Sequence, residues 1–256
     1  MTVQGVDYSH YQNPPTTSHP PDAQRLIMEG IQFVIIKAWE GSNPDPNFTE
    51  NLKNAQDAGM PVMAYVYLHS GDDAARMDHC FDHIGNVVLC LDWEDANTSA
   101  TIVEHWMDAY ETRYNRKGMA YYGLYPPSDP TERIGQWPRW FPNYASSPRI
   151  PPWDGVDHRP DWRNCYAIWQ NSASGSVDGI DGLVDTDQLA PALSIEGLID
   201  WLGNSRPPRP QIDVVKPAIE HLQRALNVSG YNAGAPDGLW GPNTQSAIEK
   251  YSGYKP

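Results

Sequence analysis

Apolar residues in the first half of the chain fall into short runs rich in β-branched and aromatic side chains, at Val3–Asp7, Ile31–Ala38, Pro61–Leu68, Asn86–Trp93 and Gly118–Gly123. Their length and composition predict buried strands. Between them, Asp22–Glu29, Pro46–Ala58, Asp72–His83 and Thr101–Arg116 show helical spacing, and Ile102, Trp106 and Tyr110 mark one apolar stripe. Strand, helix, strand in repetition predicts a parallel sheet with helices packed on it. Gly30, Gly59, Gly85 and Gly118 each stand where a helix should stop, in the C-cap position, so four or five βα units are expected.

After Tyr125 the pattern changes. Pro126, Pro127, Pro130, Pro148, Pro151 and Pro152 break any helix, and Trp140–Tyr144, Tyr166–Gln170 and Ile180–Val184 suggest short strands joined by loops. A last helix at Ser194–Leu202 closes the pattern. The expected fold is therefore α/β, a TIM-like barrel over residues 1–203 whose second half has lost its helices. Residues 204–210, NSRPPRP, have the composition of a semi-extended linker. Residues 211–256 form a small helical domain, with a stripe at Ile219, Leu222 and Leu226, a turn-rich centre, and a second helix from Asn243. That size is marginal for independent stability.

Charge narrows the partners. The 256 residues hold 18 Lys and Arg against 32 Asp and Glu, a formal net charge of −14, which opposes binding to nucleic acid or to an anionic membrane. No run is apolar for long enough to cross a bilayer, and the N-terminus MTVQGVDYSHYQ lacks the basic and apolar regions of a signal peptide. No membrane insertion is expected, and synthesis in the cytoplasm is. Cys80, Cys90 and Cys165 are too few and too odd in number for a disulfide framework, so buried thiols are expected.

The strongest chemical feature is Val87–Asp95, VVLCLDWED, an apolar strand that ends in acids. Side chains two apart on a strand share a face, which places Asp92 and Glu94 together, their Cβ atoms about 7 Å apart, and turns Trp93 the other way. In a parallel barrel the C-terminal strand ends form the active face. Crowding raises the proton affinity of one carboxylate, and aromatic surroundings add to the effect. Asp7 after the first strand, Asp185 after the last and Glu40 after the second converge on the same mouth. Tyr8, Trp39, Tyr65, Tyr67, Tyr122, Tyr144 and Trp169 are the aromatic candidates there for stacking against a sugar. Asp95 and Asn97 have the simpler reading of capping the next helix.

Other chemistries lack support. His79 and His83 are four apart without the glutamate of HExxH, so they are expected at the surface and no metal is expected. No GxSxG, GxxxxGK[ST] or GxGxxG occurs, so neither a serine nucleophile nor a nucleotide cofactor is expected.

With these residues assembled, the first two hundred positions resemble glycoside hydrolase family 25, the muramidases of phage endolysins and bacterial autolysins. The matching motifs are GVDYSHYQ, FVIIKAWEG, DPNFTENLKNAQDAGMPVMAYVYLH, VLCLDWED, WFPNYA and YAIWQNSASGSVDGIDGLVDTDQ. The resemblance implies a (β/α)5(β)3 barrel, hydrolysis of the β-1,4 bond from N-acetylmuramic acid to N-acetylglucosamine in bacterial peptidoglycan, and Asp7, Asp92, Glu94 and Asp185 as the active-site carboxylates. The chain departs from the family pattern at Trp39, where threonine is usual, and at Val66, where histidine is usual. IEHLQRALNVSGYN and PDGLWGPNTQSAIEKY resemble a shortened peptidoglycan-binding domain.

On this footing Glu94 is the expected general acid and Asp92 stays ionised. Asp92 either orients the substrate's acetamido group as internal nucleophile or stabilises the oxocarbenium-like centre itself. Asp7 and Asp185 supply support and charge balance. The expected setting is a monomeric phage lysin, made in the host cytoplasm, released by a holin and acting at the cell wall. A catalytically silent sugar-binding module and a wall amidase or peptidase are the competing classes.

Overall fold

The computed structural model describes residues 3–12, 20–70, 74–155, 161–201, 215–239 and 241–252. The linker expected at 204–210 and Trp240 lie outside them. The chain divides into two compact units, Met1–Pro208 and Arg209–Pro256, each described by itself.

In the first unit the elements run β1 (Gln4–Tyr8), α1 (Ala23–Met28), β2 (Ile31–Glu40), β3 (Asn43–Pro44), α2 (Phe48–Asp57), β4 (Val62–Tyr67), α3 (Ala74–Ile84), β5 (Val88–Asp92), α4 (Ala100–Tyr114), β6 (Met119–Tyr121), β7 (Arg139–Pro142), β8 (Ile168–Gly175), β9 (Val184–Leu189) and α5 (Ile195–Trp201). Single 3-10 turns, Ile134–Gln136 and Trp162–Asn164, occupy the crossovers on either side of β7. Among the described residues the strands form one sheet in the order β1-β9-β8-β7-β6-β5-β4-β2-β3, and a further pairing of β1 with β2 closes it into a barrel, leaving only β3 outside the ring. Neighbours from β1 through β2, β4, β5, β6 and β7 to β8 are parallel; β9 is antiparallel to both β8 and β1.

The first half follows the apolar pattern closely, and the helical crossovers end as their glycines require. Gly30, Gly59 and Gly85 have φ of 87°, 72° and 59°, the left-handed conformation that glycine adopts without strain. Gly118 does not cap α4. Asn115 does, at φ 51°, and Gly118 is needed for space, since a Cβ there would lie 2.4 Å from the Leu89 carbonyl oxygen. The expected strand at Ile180–Val184 is a turn, with Gly179 and Gly182 at φ 103° and 88°. The strand begins at Val184 and returns antiparallel to β8 as a hairpin.

Period-2 alternation sorts the side chains into two layers. Val34, Ile36, Ala64, Leu89, Leu91 and Ala120 face outward and pack under the helices. Phe33, Ile35, Met63, Val88, Cys90, Met119 and Ile168 face inward, where Ile195 and Leu198 of α5 join them. Cys80, Cys90 and Cys165 are buried and none is in a disulfide. The barrel interior is thus apolar at one end, and its inward acids lie toward the other.

The second unit pairs α6 (Val215–Val228) with α7 (Pro242–Ser252) over Leu226, Ala233 and Ala247. Buried Gln223 stitches the intervening turn: its Nε2 donates to the Leu239 carbonyl at 2.9 Å and to Thr244 Oγ1 at 3.0 Å, while its Oε1 accepts from Gly238 N at 2.9 Å. One internal amide here replaces the larger core that so short a segment cannot build.

Candidate active site

Inward-facing positions at the C-terminal ends of the parallel strands are polar. Asp92 ends β5, 6% exposed and in register with Tyr67 on β4 and Tyr121 on β6. Glu94, two residues on, stands exposed at the lip. Asp7 on β1 is 5% exposed and opposes Asp185 across the antiparallel β1–β9 pair. Because β9 runs against its neighbours, Asp185 reaches the mouth from the beginning of its strand and not from the end expected. The structure thus brings Asp7, Asp92, Glu94 and Asp185 to one place.

A fifth acid, Asp187, was not among the expected residues. It is fully buried below Asp185 and its Oδ1 accepts the Trp140 indole N–H at 2.8 Å. Gln170 on β8 ties the group together. Its Nε2 donates to Asp7 Oδ2 at 2.7 Å and to Asp185 Oδ2 at 3.2 Å, and its Oε1 accepts the hydroxyls of Tyr121 and Tyr144, each at 2.8 Å. Applying the alternation of Asp92 and Glu94 to VDTDQ would have found Asp187.

Two pairs of carboxyls stand close enough to act on one another's protons, Asp92 with Glu94 and Asp7 with Asp187. A carboxyl pair can share a hydrogen bond only through a proton. Burial, then the charge of Glu94, pushes the Asp92 carboxyl well up; Lys37 opposes this. Burial and then the Asp185 charge raise Glu94. Asp7 is raised by burial and by Asp187 and Asp185, while burial brings Asp185 up to about 6 and Asp187 to about 7. One oxygen of Asp92, Oδ1, is buried without a protein donor among the described residues.

All five acids hold protons more tightly folded than unfolded, so the folded barrel binds extra protons between about pH 4 and 7 and loses stability as pH rises through that window. The melting temperature by calorimetry is expected to be roughly 2–8 °C higher at about pH 5 than at about pH 8, the shift that one or two kcal/mol produces in a chain of this size. A melting temperature that is flat or rises over that range counts against proton sharing.

Lys37, also unforeseen, is 6% exposed, its ammonium bonded to Glu40 and 5.6–6.0 Å from the rings of Tyr11, Tyr67 and Tyr65. Burial pushes the Glu40 carboxyl up, but the bond and charge of Lys37 outweigh it and leave Glu40 below the usual range. Asp95 does not cap α4: its Oδ1 accepts from Asn97 N at 2.9 Å and its Oδ2 meets His69 Nδ1 at 2.9 Å.

Of the aromatic candidates, Tyr65 and Tyr67 face inward and Tyr144 is 58% exposed beside Gln170. Tyr8, Trp39, Tyr122 and Trp169 do not line the mouth. Tyr8 directly follows inward Asp7, Tyr122 follows inward Tyr121 and Trp169 precedes inward Gln170, so alternation turns all three outward. Tyr8 and Tyr122 lie in the layer under the helices, Tyr122 with the Arg139 guanidinium 4.1 Å from its ring centroid, and the Trp169 indole donates to the Asn143 carbonyl at 2.7 Å. Trp39 is turned out by an irregularity in the β2–β4 register between Lys37 and Trp39. Its ring lies 5.8 Å from that of His83, which is half-buried against Phe48 and not on the surface as expected; His79 is exposed.

Residues 6–180 match the family model described as "Glycosyl hydrolases family 25", and residues 215–251 match that of the "Putative peptidoglycan binding domain". The autolytic lysozyme of Clostridium acetobutylicum is 24% identical over 249 residues, covering 90% of this chain and 68% of that one. Lysozyme M1 of Streptomyces globisporus is 27% identical over 213 residues, covering 73% and 67%. The solved muramidase of Trichobolus zukalii shares the fold at a TM-score of 0.61 and 24% identity, over 79% of this chain and all of its own. A bacterial lysozyme from Streptomyces coelicolor does so at 0.59 and 23%, over 80% and 98%. With the family model spanning the strands and helices from β1 through β8, the chain belongs to glycosyl hydrolases family 25.

Proposed function

We propose that the barrel is a muramidase that hydrolyses the β-1,4 bond between N-acetylmuramic acid and N-acetylglucosamine of bacterial peptidoglycan. The observation that carries this reading is the Asp92–Glu94 pair, a buried carboxyl beside a lip carboxyl, both pushed above their ordinary range, with Asp92 Oδ1 left without a protein donor among the described residues. Before substrate binds, burial and the charge of Glu94 make Asp92 the tighter holder of a proton. A sugar covering Glu94 strips its water and draws the proton outward, so Glu94 protonates the glycosidic oxygen and Asp92 becomes the carboxylate. Its unpartnered oxygen then accepts the acetamido N–H or faces the developing positive charge at the anomeric carbon.

The ring is read as a shortened (β/α)5(β)3 barrel, supported by four helical crossovers followed by two that carry only 3-10 turns. The peptidoglycan-binding match at 215–251 and the lysozyme names of the relatives support a cell-wall substrate. The enzyme acts at the wall as a monomer and needs no cofactor.

Digesting purified peptidoglycan, reducing the fragments with borohydride and identifying the new reduced sugar by mass spectrometry tests the reading. Muramitol ends are expected. Glucosaminitol ends mean a glucosaminidase instead, and no new reduced sugar returns the barrel to a binding or peptidase role.

A further inference from the structure

Asp187 lies one inward step deeper than the acids that a sugar can reach. Its Oδ1 is held by the Trp140 indole at 2.8 Å. Among the described residues no N–H or neutral hydroxyl reaches its Oδ2, and the carboxyl that lies against Asp187 is that of Asp7. Asp7 in turn accepts the Gln170 amide, whose second contact is Asp185 and whose carbonyl takes both tyrosine hydroxyls. One orientation of that amide satisfies all four bonds, and it requires Asp7 Oδ2 to be an acceptor.

We propose that Asp187 is a positioning residue of this site, taking the hydroxyl of a protonated Asp7 so that Asp7 turns its acceptor oxygen to Gln170 and fixes the amide between Asp7 and Asp185. Asp187 touches no substrate. It stores the proton of Asp7 out of reach of water, and through Gln170 it sets where Asp185 and the Tyr144 hydroxyl stand at the mouth. Other titratable groups facing it are Asp185 from its own strand and Cys90 from β5; Tyr65 on β4 and Tyr121 on β6 face Asp7. The tyrosines and the thiol are neutral, held up by burial, and Lys37 is engaged with Glu40. The proton exchange is thus confined to the carboxyls. The catalytic part of this inference rests on the muramidase reading; the pairing itself does not.

Asp187→Asn tests it. The asparagine can still accept from Trp140, but its NH2 donates to Asp7, which becomes an ionised acceptor and loses its stored proton. Two measurements on the full chain follow, melting temperature against pH and kcat and KM on peptidoglycan against pH. Expected in the variant are a weaker fall of melting temperature from about pH 5 to 8, a kcat lower by about tenfold with KM changed less than about twofold, and a limb of the kcat profile displaced by about one pH unit or more. Trp140→Phe removes only the indole donor and should move the same transitions to higher pH, and it decides the matter if Asp187→Asn does not fold. Curves that superimpose on the parent's after scaling overturn the proposal. A parent that yields no muramitol overturns the muramidase reading alone, because the melting curves still decide the pairing.

Discussion

Glu94→Gln is expected to lower turnover on peptidoglycan by about two to four orders of magnitude, the range that a positioned general acid contributes, with fold and wall binding unchanged. Glutamine fills the same space at the lip but has no acidic proton to give to the leaving oxygen. Removing the carboxyl also takes a like charge away from Asp92 and Asp185, so the melting temperature at neutral pH should hold or rise. Turbidity clearing of cell walls measures the first effect, and calorimetry with a wall pull-down controls for the other two. Clearing at the parent rate sinks the assignment of Glu94 as acid.

Asp92→Asn should cost almost as much, for a different reason. The side chain is buried and its Oδ1 has no protein partner among the described residues, so the carboxylate is free to receive charge or an N–H from the sugar. An amide keeps the shape and offers an acceptor oxygen, but cannot carry the negative charge that strengthens that contact as the transition state forms. A loss of about two orders of magnitude or more in kcat is expected, with KM altered far less. The residual activity should also change its pH profile. The pair's second ionisation is raised in the parent because it places two negative charges side by side. With Asp92 neutral, Glu94 ionises against no such charge, and the alkaline limb moves to lower pH. An unmoved limb would show that the two carboxyls do not titrate together.

Much of the fold was legible because hydrophobic spacing and chain stops agree over β1 to β6. The glycines at 30, 59 and 85 cap as their positions imply. At Gly118 the same composition has another cause, close packing against Leu89 and Trp137, which no local pattern distinguishes from a cap. The strand expected at Ile180–Val184 failed because Ile180 is a buried anchor inside the turn bounded by Gly179 and Gly182, and Val184 is the first residue of the strand that follows. Within the site, alternation located Asp92 and Glu94 together. The same rule applied to neighbouring positions would have exchanged Tyr122 for Tyr121 and Trp169 for Gln170, and added Asp187. Trp39 is harder: its face is set by an irregularity in strand pairing, which depends on two strands and leaves no trace in one. Proton sharing between acids comes from burial and distance together, and so emerges only in three dimensions.

The reversed direction of β9 makes the two acid pairs mirror images along the chain. On β5 the polypeptide climbs from the buried Asp92 to the exposed Glu94, whereas on β9 it descends from the half-buried Asp185 to the fully buried Asp187. A length change ahead of β5 enters from the apolar floor of the barrel. One ahead of β9 enters at the mouth, where the hairpin loop already presents Leu183 at 62% exposure. The exposed positions of this loop, Ser176, Asp178, Asp181 and Leu183, are therefore where new sugar contacts could be introduced while buried Ile180 and close-packed Gly179 hold the turn and the closing strand keeps its hydrogen-bond partners on both sides, and a library confined to them would vary substrate preference on an unchanged set of acids.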